Sequence, residues 1–253
     1  MGVHDWTKLE AGNFPTFHNA WLTHLGEALN GGLLPDSMYA AVEKHLGVVP
    51  DVVAIEVDPP RDAFESNGHA TMSDPLGGDL SGGGAAVATA PPASRRTARF
   101  EAGAVKEIAV REAAGGRLRA LVELVSPANK GSSIAVRKFV GKCQAALRQG
   151  VHVAVIDLLP AAGCCPEGLH AEIAGRPEEP PLEGPLLCVG YQAPTDGVFE
   201  TEAYLDPIGV GDELPGTPLF IGPDRYVALP LAATYARTVD ALPKVFKRQI
   251  GAA

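Results

Sequence analysis

Asp51, Glu123, Lys130 and Lys142 are the residues of this chain whose types and placement could do chemistry together. Glu123 lies in "LVELVSPANKG", residues 121–131, where Leu121, Val122, Leu124 and Val125 read as a strand buried on both faces. A carboxylate in such a run is costly unless something pairs with it, ligates it or protonates it. Asp51 opens a second apolar run, "DVVAIEV", behind Pro50. If the two strands are neighbours, their carboxylates can share one divalent cation. Mg²⁺ takes one or two carboxylates together with water and phosphate oxygens. Such an ion activates water and neutralises charge on a phosphodiester, and a lysine beside it stabilises the transition state. Lys130 follows Glu123 at the strand end, while Lys138 and Lys142 lie one turn apart on the next helix, away from its apolar face. The competing reading makes Glu123 an edge-strand residue paired with Arg119 or a lysine, and the lysines a solvated helix face.

The elements that must position these residues follow from periodicity. Residues 17–29, "FHNAWLTHLGEAL", put Phe17, Trp21, Leu22, Leu25 and Leu29 on one helical face, with Thr16 as cap and Gly31 after the end. "MYAAVEKHLGVVP" fits a strand or a short helix equally. Residues 66–95 are rich in Gly, Ala, Ser and Pro without an apolar period, which predicts a flexible insertion. "AVKEIAVRE" and "LRALVELVSP" alternate as strands around a Gly115-Gly116 hairpin turn. Residues 134–148 form a helix with Val136, Phe139, Val140, Cys143 and Leu147 inward, capped by Ser132 or Ser133 and stopped by Gly150. "VHVAVIDLL" is a further buried strand, and a right-handed crossover makes it the parallel neighbour of the Glu123 strand. "LLCVGYQA" and "VFETEAYLDPI" read as an antiparallel pair, and "LPLAATYARTVDAL" as a closing helix through Leu231, Tyr235, Val239 and Leu242.

With 253 residues, 46% of them hydrophobic, the chain suits one large domain, 1–253, carrying the insertion. A net charge of -9 argues against a broad basic face for nucleic acid and leaves room for a local site. No apolar run is long enough for a bilayer and nothing at the N-terminus resembles a signal peptide. The cysteines, Cys143, Cys164, Cys165 and Cys188, make no CxxC spacing and read as free thiols. A cytoplasmic protein that does not contact membrane is the expectation, with a homodimer as a compatible assembly.

The blocks "ALVELVSPANKG" and "KCQAALRQGVHVAVIDLL" resemble the bacterial domain-of-unknown-function family 4058. The flanking stretches "FHNAW", "LLPDSMYAAVEK" and "YLDPIGVGDELPGTPLFIGPDRYVALPL" extend that resemblance over nearly the whole chain outside residues 59–98. More distantly, the order "VPDVVAIEV", insertion, "LVELVSP", lysine-bearing helix, "GVHVAVID" is similar to putative restriction endonucleases of the PD-(D/E)XK superfamily. That similarity implies an α/β fold with a mixed central sheet flanked by helices, decorated by a C-terminal β hairpin and helix. It implies Asp51 and Glu123 as metal ligands for Mg²⁺. Val125 stands where the motif has its lysine, so the resemblance moves that role to Lys142, with Lys130 next.

Other residues carry less. Glu43 would add a carboxylate from the N-terminal segment, and Asp157 sits near the C-terminal end of a buried strand, where sites in parallel sheets gather. Gln144 would reach a phosphate or face water, and His152 reads as a packed or hydrogen-bonded histidine. "GGDLSGGG" lacks the P-loop lysine, and no GxSxG is present. The expected function is a Mg²⁺-dependent phosphodiesterase or nuclease. The alternatives are a non-catalytic binding or assembly module on the same fold, favoured by the acidic charge and Val125, and a hydrolase of a small phosphorylated substrate.

Overall fold

The computed structural model describes residues 1–45, 105–176, 182, 184–194 and 201–252. Asp51, the run it opens and the insertion at 66–95 lie outside the described residues. The described part belongs to one compact unit made of Met1–Val49 and Gly103–Ala253.

The first helix, α1 (Phe14–Ala28), starts three residues before the expected position because Pro15 is tolerated in a first turn, where its missing N–H costs nothing. Phe14, Phe17, His18, Trp21, Leu22 and Leu25 recur at helical spacing and are all buried. A π-type turn follows, in which Gly32 adopts φ +113°. It directs Asn30 onto the first strand, β1 (Met38–His45). The Asn30 amide donates to Ala40 O at 2.9 Å and accepts from Ala40 N–H at 2.8 Å. A side chain thus takes up part of the β1 edge that carries no strand among the described residues. The described part of the ambiguous segment, Met38–His45, is therefore a strand, because it has β2 (Val105–Glu112) to pair with.

Across the turn, where Gly115 and Gly116 both take positive φ, β2 pairs with β3 (Leu118–Leu124). Ser132 then caps α2 (Ser133–Arg148) by accepting from Ala135 N–H, and Gly150 at φ +75° ends it. The helix crosses over to β4 (His152–Asp157), which runs parallel to β3 as the crossover rule requires. A short helix, α3 (Gly168–Ala174), leads to β5 (Leu186–Gln192) and β6 (Glu202–Ile208). These two strands complete a mixed six-stranded sheet in the order β1-β2-β3-β4-β5-β6. The hairpin near the C-terminus is a different element, β7 (Pro218–Gly222) with β8 (Arg225–Ala228), followed by α4 (Leu231–Ala241) and α5 (Lys244–Ile250).

The sheet is covered on both faces. Lys142 of α2 reaches Glu107 and Glu123, so α2 lies on the face of the odd-numbered residues of β2 and β3. The opposite face meets α1, whose Gly26 approaches Val42, and β7, whose Phe220 contacts His152. Trp6, Phe14, Phe17, Trp21 and Tyr235 interlock where α1 packs on α4, with Trp21 donating to Thr234 Oγ1 at 3.0 Å. All six residues of β4 are buried, its apolar centre Val153–Ile156 flanked by the buried polar His152 and Asp157. No helix among the described residues is long and apolar enough to cross a membrane.

Gly190 of β5 lies under β7, and a Cβ there would fall on the Pro218 carbonyl oxygen. Gly190→Ala is expected to lower unfolding stability by about 1–3 kcal/mol through overpacking. Gly141→Ala, in α2 with open space around a new Cβ, is expected to be neutral or to gain up to about 1 kcal/mol in helix propensity. Urea midpoints of the two variants check the pair.

Candidate functional site

Three carboxylates stand in one row across the first three strands. Glu43 of β1 is the direct partner of Glu107 of β2. In β2 and β3, Ile108 faces Val122 and Ala109 faces Leu121, and one further step of that register sets Glu107 beside Glu123. Residues paired this way have Cβ atoms roughly 4.5–5.5 Å apart on one face. Arg111, also on β2, draws Glu43 out of the row with a two-pronged ion pair, Nε to Oε1 at 2.8 Å and Nη2 to Oε2 at 3.0 Å. Glu107 and Glu123 remain beneath α2, 2% and 0% exposed.

Lys142 is the counter-charge. Its Nζ lies 2.9 Å from Glu107 Oε2 and 2.5 Å from Glu123 Oε1. The Phe139 ring, one turn earlier, has its centroid 5.6 Å from the same nitrogen. Two carboxylates sharing the Lys142 ammonium in the interior disfavour each other's charged form. Burial accordingly pushes the Glu123 carboxyl from 4.5 up to about 8, Lys142 pulls against that rise, and the Glu107 carboxylate adds to it. Burial alone would depress Lys142, but Glu123 and Glu107 together lift its ammonium above the usual lysine range. Among the described residues the balance thus favours the protonated form of Glu123 more than for an ordinary glutamate. The neighbouring Cys143 thiol is kept protonated, chiefly by burial and then by the Glu123 charge.

His18 of α1 fixes the end of β3 next to Glu123. Its Nε2–H donates to Leu124 O at 2.9 Å. Burial, followed by the Lys106 and Lys142 charges, holds its pKa below the usual histidine range, so the ring is a neutral donor. The structure thus brings together Glu123 and Lys142 as the sequence implied, and adds Glu107 and His18.

The other expected participants sit elsewhere. Asp51 is outside the described residues. Lys130 is 7% exposed and its ammonium is committed to Asp157 Oδ2 at 2.7 Å, Leu159 O at 2.6 Å and Pro160 O at 3.0 Å. Three acceptors for three N–H bonds leave it nothing for Glu123. Asp157, which also accepts from Leu159 N–H, is thereby a buried partner that ties the chain after β3 to the chain after β4. Gln144 is part-buried and donates one amide N–H to Ile173 O at 3.0 Å, away from the carboxylate cluster. Arg119 pairs with Glu112 and not with Glu123, and Glu123 lies on an interior strand. His152 accepts from Ala193 N–H at 3.0 Å, a hydrogen-bonded core histidine as expected. A cavity of about 420 Å³ opens beside α3, lined by Lys130, Asp157, His170 and Tyr191, and Lys130 offers it no spare donor.

Glu107 had a sequence signal that simple counting hides. Back from the hairpin turn, where Arg111 faces Leu118, a regular ladder sets Lys106 opposite Glu123, an ordinary ion pair. A bulge between Val110 and Arg111 shifts the register by one residue. That shift replaces lysine with Glu107 and turns every side chain of β2 to the other face relative to β3.

Compared with protein families, with curated proteins and with solved structures, the chain finds no match.

The raised Glu123 carboxyl has a pH signature. Between about 4.5 and 8 the native state binds more protons at this site than the unfolded state does. Stability is therefore full below that window and falls as pH rises through it, by at most about 1.4 kcal/mol per pH unit. Melting temperatures from pH 5 to pH 9 should show this decline in the wild type and a flatter profile in Glu123→Gln. Lys142→Met strands two buried carboxylates and is expected to cost about 3–5 kcal/mol at pH 7.5, read from denaturant unfolding.

Proposed function

We propose that this protein is a Mg²⁺-dependent phosphodiesterase of restriction-endonuclease-like fold, acting on nucleic acid at a local site, and a member of the family that its "SPANK" block resembles. The observation that carries the reading is the Glu107–Lys142–Glu123 cluster. It has two oxygen donors on adjacent strands of a mixed sheet, with a cationic group already held between them. This donor set fits a hard cation that takes one or two carboxylates and fills its remaining positions with water and phosphate oxygens. When bound, such an ion would lower the pKa of a water and offset charge on the phosphodiester.

In this reading Glu107 and Glu123 hold the ion, and Asp51 remains a candidate third ligand. Lys142 supplies positive charge against the phosphoryl group, taking the place that Val125 leaves vacant in the motif. Phe139 and Cys143 keep water away from the inner side of the cluster, since both are buried. His18 acts on the carbonyl next to Glu123 and holds that carboxylate in register. Lys130 is given no part, because its donors are spent on the Asp157 link.

One observation favours a second reading, a non-catalytic module on the same architecture: Glu123 is fully buried and its charge is already met by Lys142. The two readings separate in one series. Calorimetric titration with Mg²⁺ and Mn²⁺, together with cleavage of single- and double-stranded DNA and RNA, is compared for wild type, Glu107→Gln, Glu123→Gln and Lys142→Ala. The nuclease reading expects divalent binding, and cleavage reduced about 100-fold or more by each variant. Cleavage that persists in Glu123→Gln would refute the site, and a wild type that binds no divalent ion would leave the module reading standing.

A further inference from the structure

Four free thiols divide into two kinds. Cys143 and Cys188 are buried in the core, and burial lifts both thiols far above their usual range, which makes them inert. Cys164 and Cys165 lie outside the sheet and helices, in a tight turn where Cys165 N–H donates to Ala162 O at 2.8 Å. Cys164 is part-exposed and its Sγ donates to Lys130 O at 3.0 Å. Cys165 lies behind it, with its thiol against that of Cys164. Burial raises the Cys165 thiol, and the Lys130 ammonium works in the opposite direction. Two soft donors in contact, one of them reachable from solvent, form an arrangement that neither the sheet nor the carboxylate cluster requires.

We propose that Cys164 and Cys165 are a dithiol site for a thiophilic ion of the trivalent arsenic class, which both sulfurs bind together. Soft thiolate donors select such ions over the hard cations suited to the Glu107–Glu123 pair. With an organoarsenic(III) oxide the balance is simple. Two As–S bonds form and the arsenic–oxygen bond breaks. The two S–H protons leave with that oxygen as water, and arsenic stays trivalent throughout. Cys164 is the entry point because it is the exposed partner, and Cys165 closes the chelate. Occupation removes the Cys164 S–H donor from Lys130 O. That bond joins the cysteine turn to the Lys130 segment, whose ammonium holds Asp157 at the end of β4. The site is therefore coupled to the chain that follows both parallel strands.

Phenylarsine oxide added to the reduced, folded full chain tests this by intact mass. The expected result is one adduct per chain with two thiols lost, reversed by an excess of a dithiol but not of a monothiol. Alkylation of the remaining thiols under denaturing conditions, then peptide mapping, should modify Cys143 and Cys188 and find Cys164 and Cys165 protected. This readout needs no variant. Cys164→Ser and Cys165→Ser should each fail to retain the adduct. The proposal is overturned by an adduct that forms only after unfolding, by one retained in Cys164→Ser, or by protection of Cys143 or Cys188 instead.

Discussion

A carboxylate with no exposed surface has to be answered by the rest of the molecule, and much of the architecture around β3 is that answer to Glu123. Lys142 must reach it from α2, which sets how that helix lies over the sheet. Glu107 arrives from β2 through the bulge, so the ammonium has two partners, and burial raises the Glu123 carboxyl. Lys142 is the described group that answers both carboxylates, while Glu107 works against the charge of Glu123. Replacing such a set by apolar residues would often be neutral or stabilising.

The second polar link has a different character. Lys130 and Asp157 join the segments that leave β3 and β4, and every donor on the ammonium is satisfied. Burial raises the Asp157 carboxyl while Lys130 opposes the rise. A fully satisfied pair of this kind rigidifies its surroundings and leaves little capacity for a ligand. The two lysines of the "SPANK"-to-helix stretch thus divide the labour: one braces the loops and the other serves the carboxylates.

The outer parts of the fold protect this centre. Asn30 engages both backbone groups of Ala40 on β1. Gly190 lets β7 close over β5 at backbone distance. The aromatic group of Trp6, Phe14, Phe17, Trp21 and Tyr235 anchors α1, from which His18 reaches the end of β3. The carboxylate row therefore sits on strands whose positions are set from both faces of the sheet.

Local order was legible in the residues themselves. The apolar spacing of α1, α2 and α4, the glycines that turn the β2–β3 hairpin and the apolar centre of β4 all follow from periods and breakers acting over a few residues. The same signals extend to β3 parallel to β4, since a strand, a helix and a strand of these lengths leave one common crossover hand. Glu123 was marked by its misfit in an apolar strand, and Lys142 by its flank of the following helix. Only the tertiary structure decided what these residues meet. A single-residue bulge substitutes Glu107 for Lys106 beside Glu123, Arg111 removes Glu43 from the row, and Asp157 captures Lys130. Composition does not reveal such outcomes, because the register of a sheet and the reach of a long side chain depend on residues far apart in sequence.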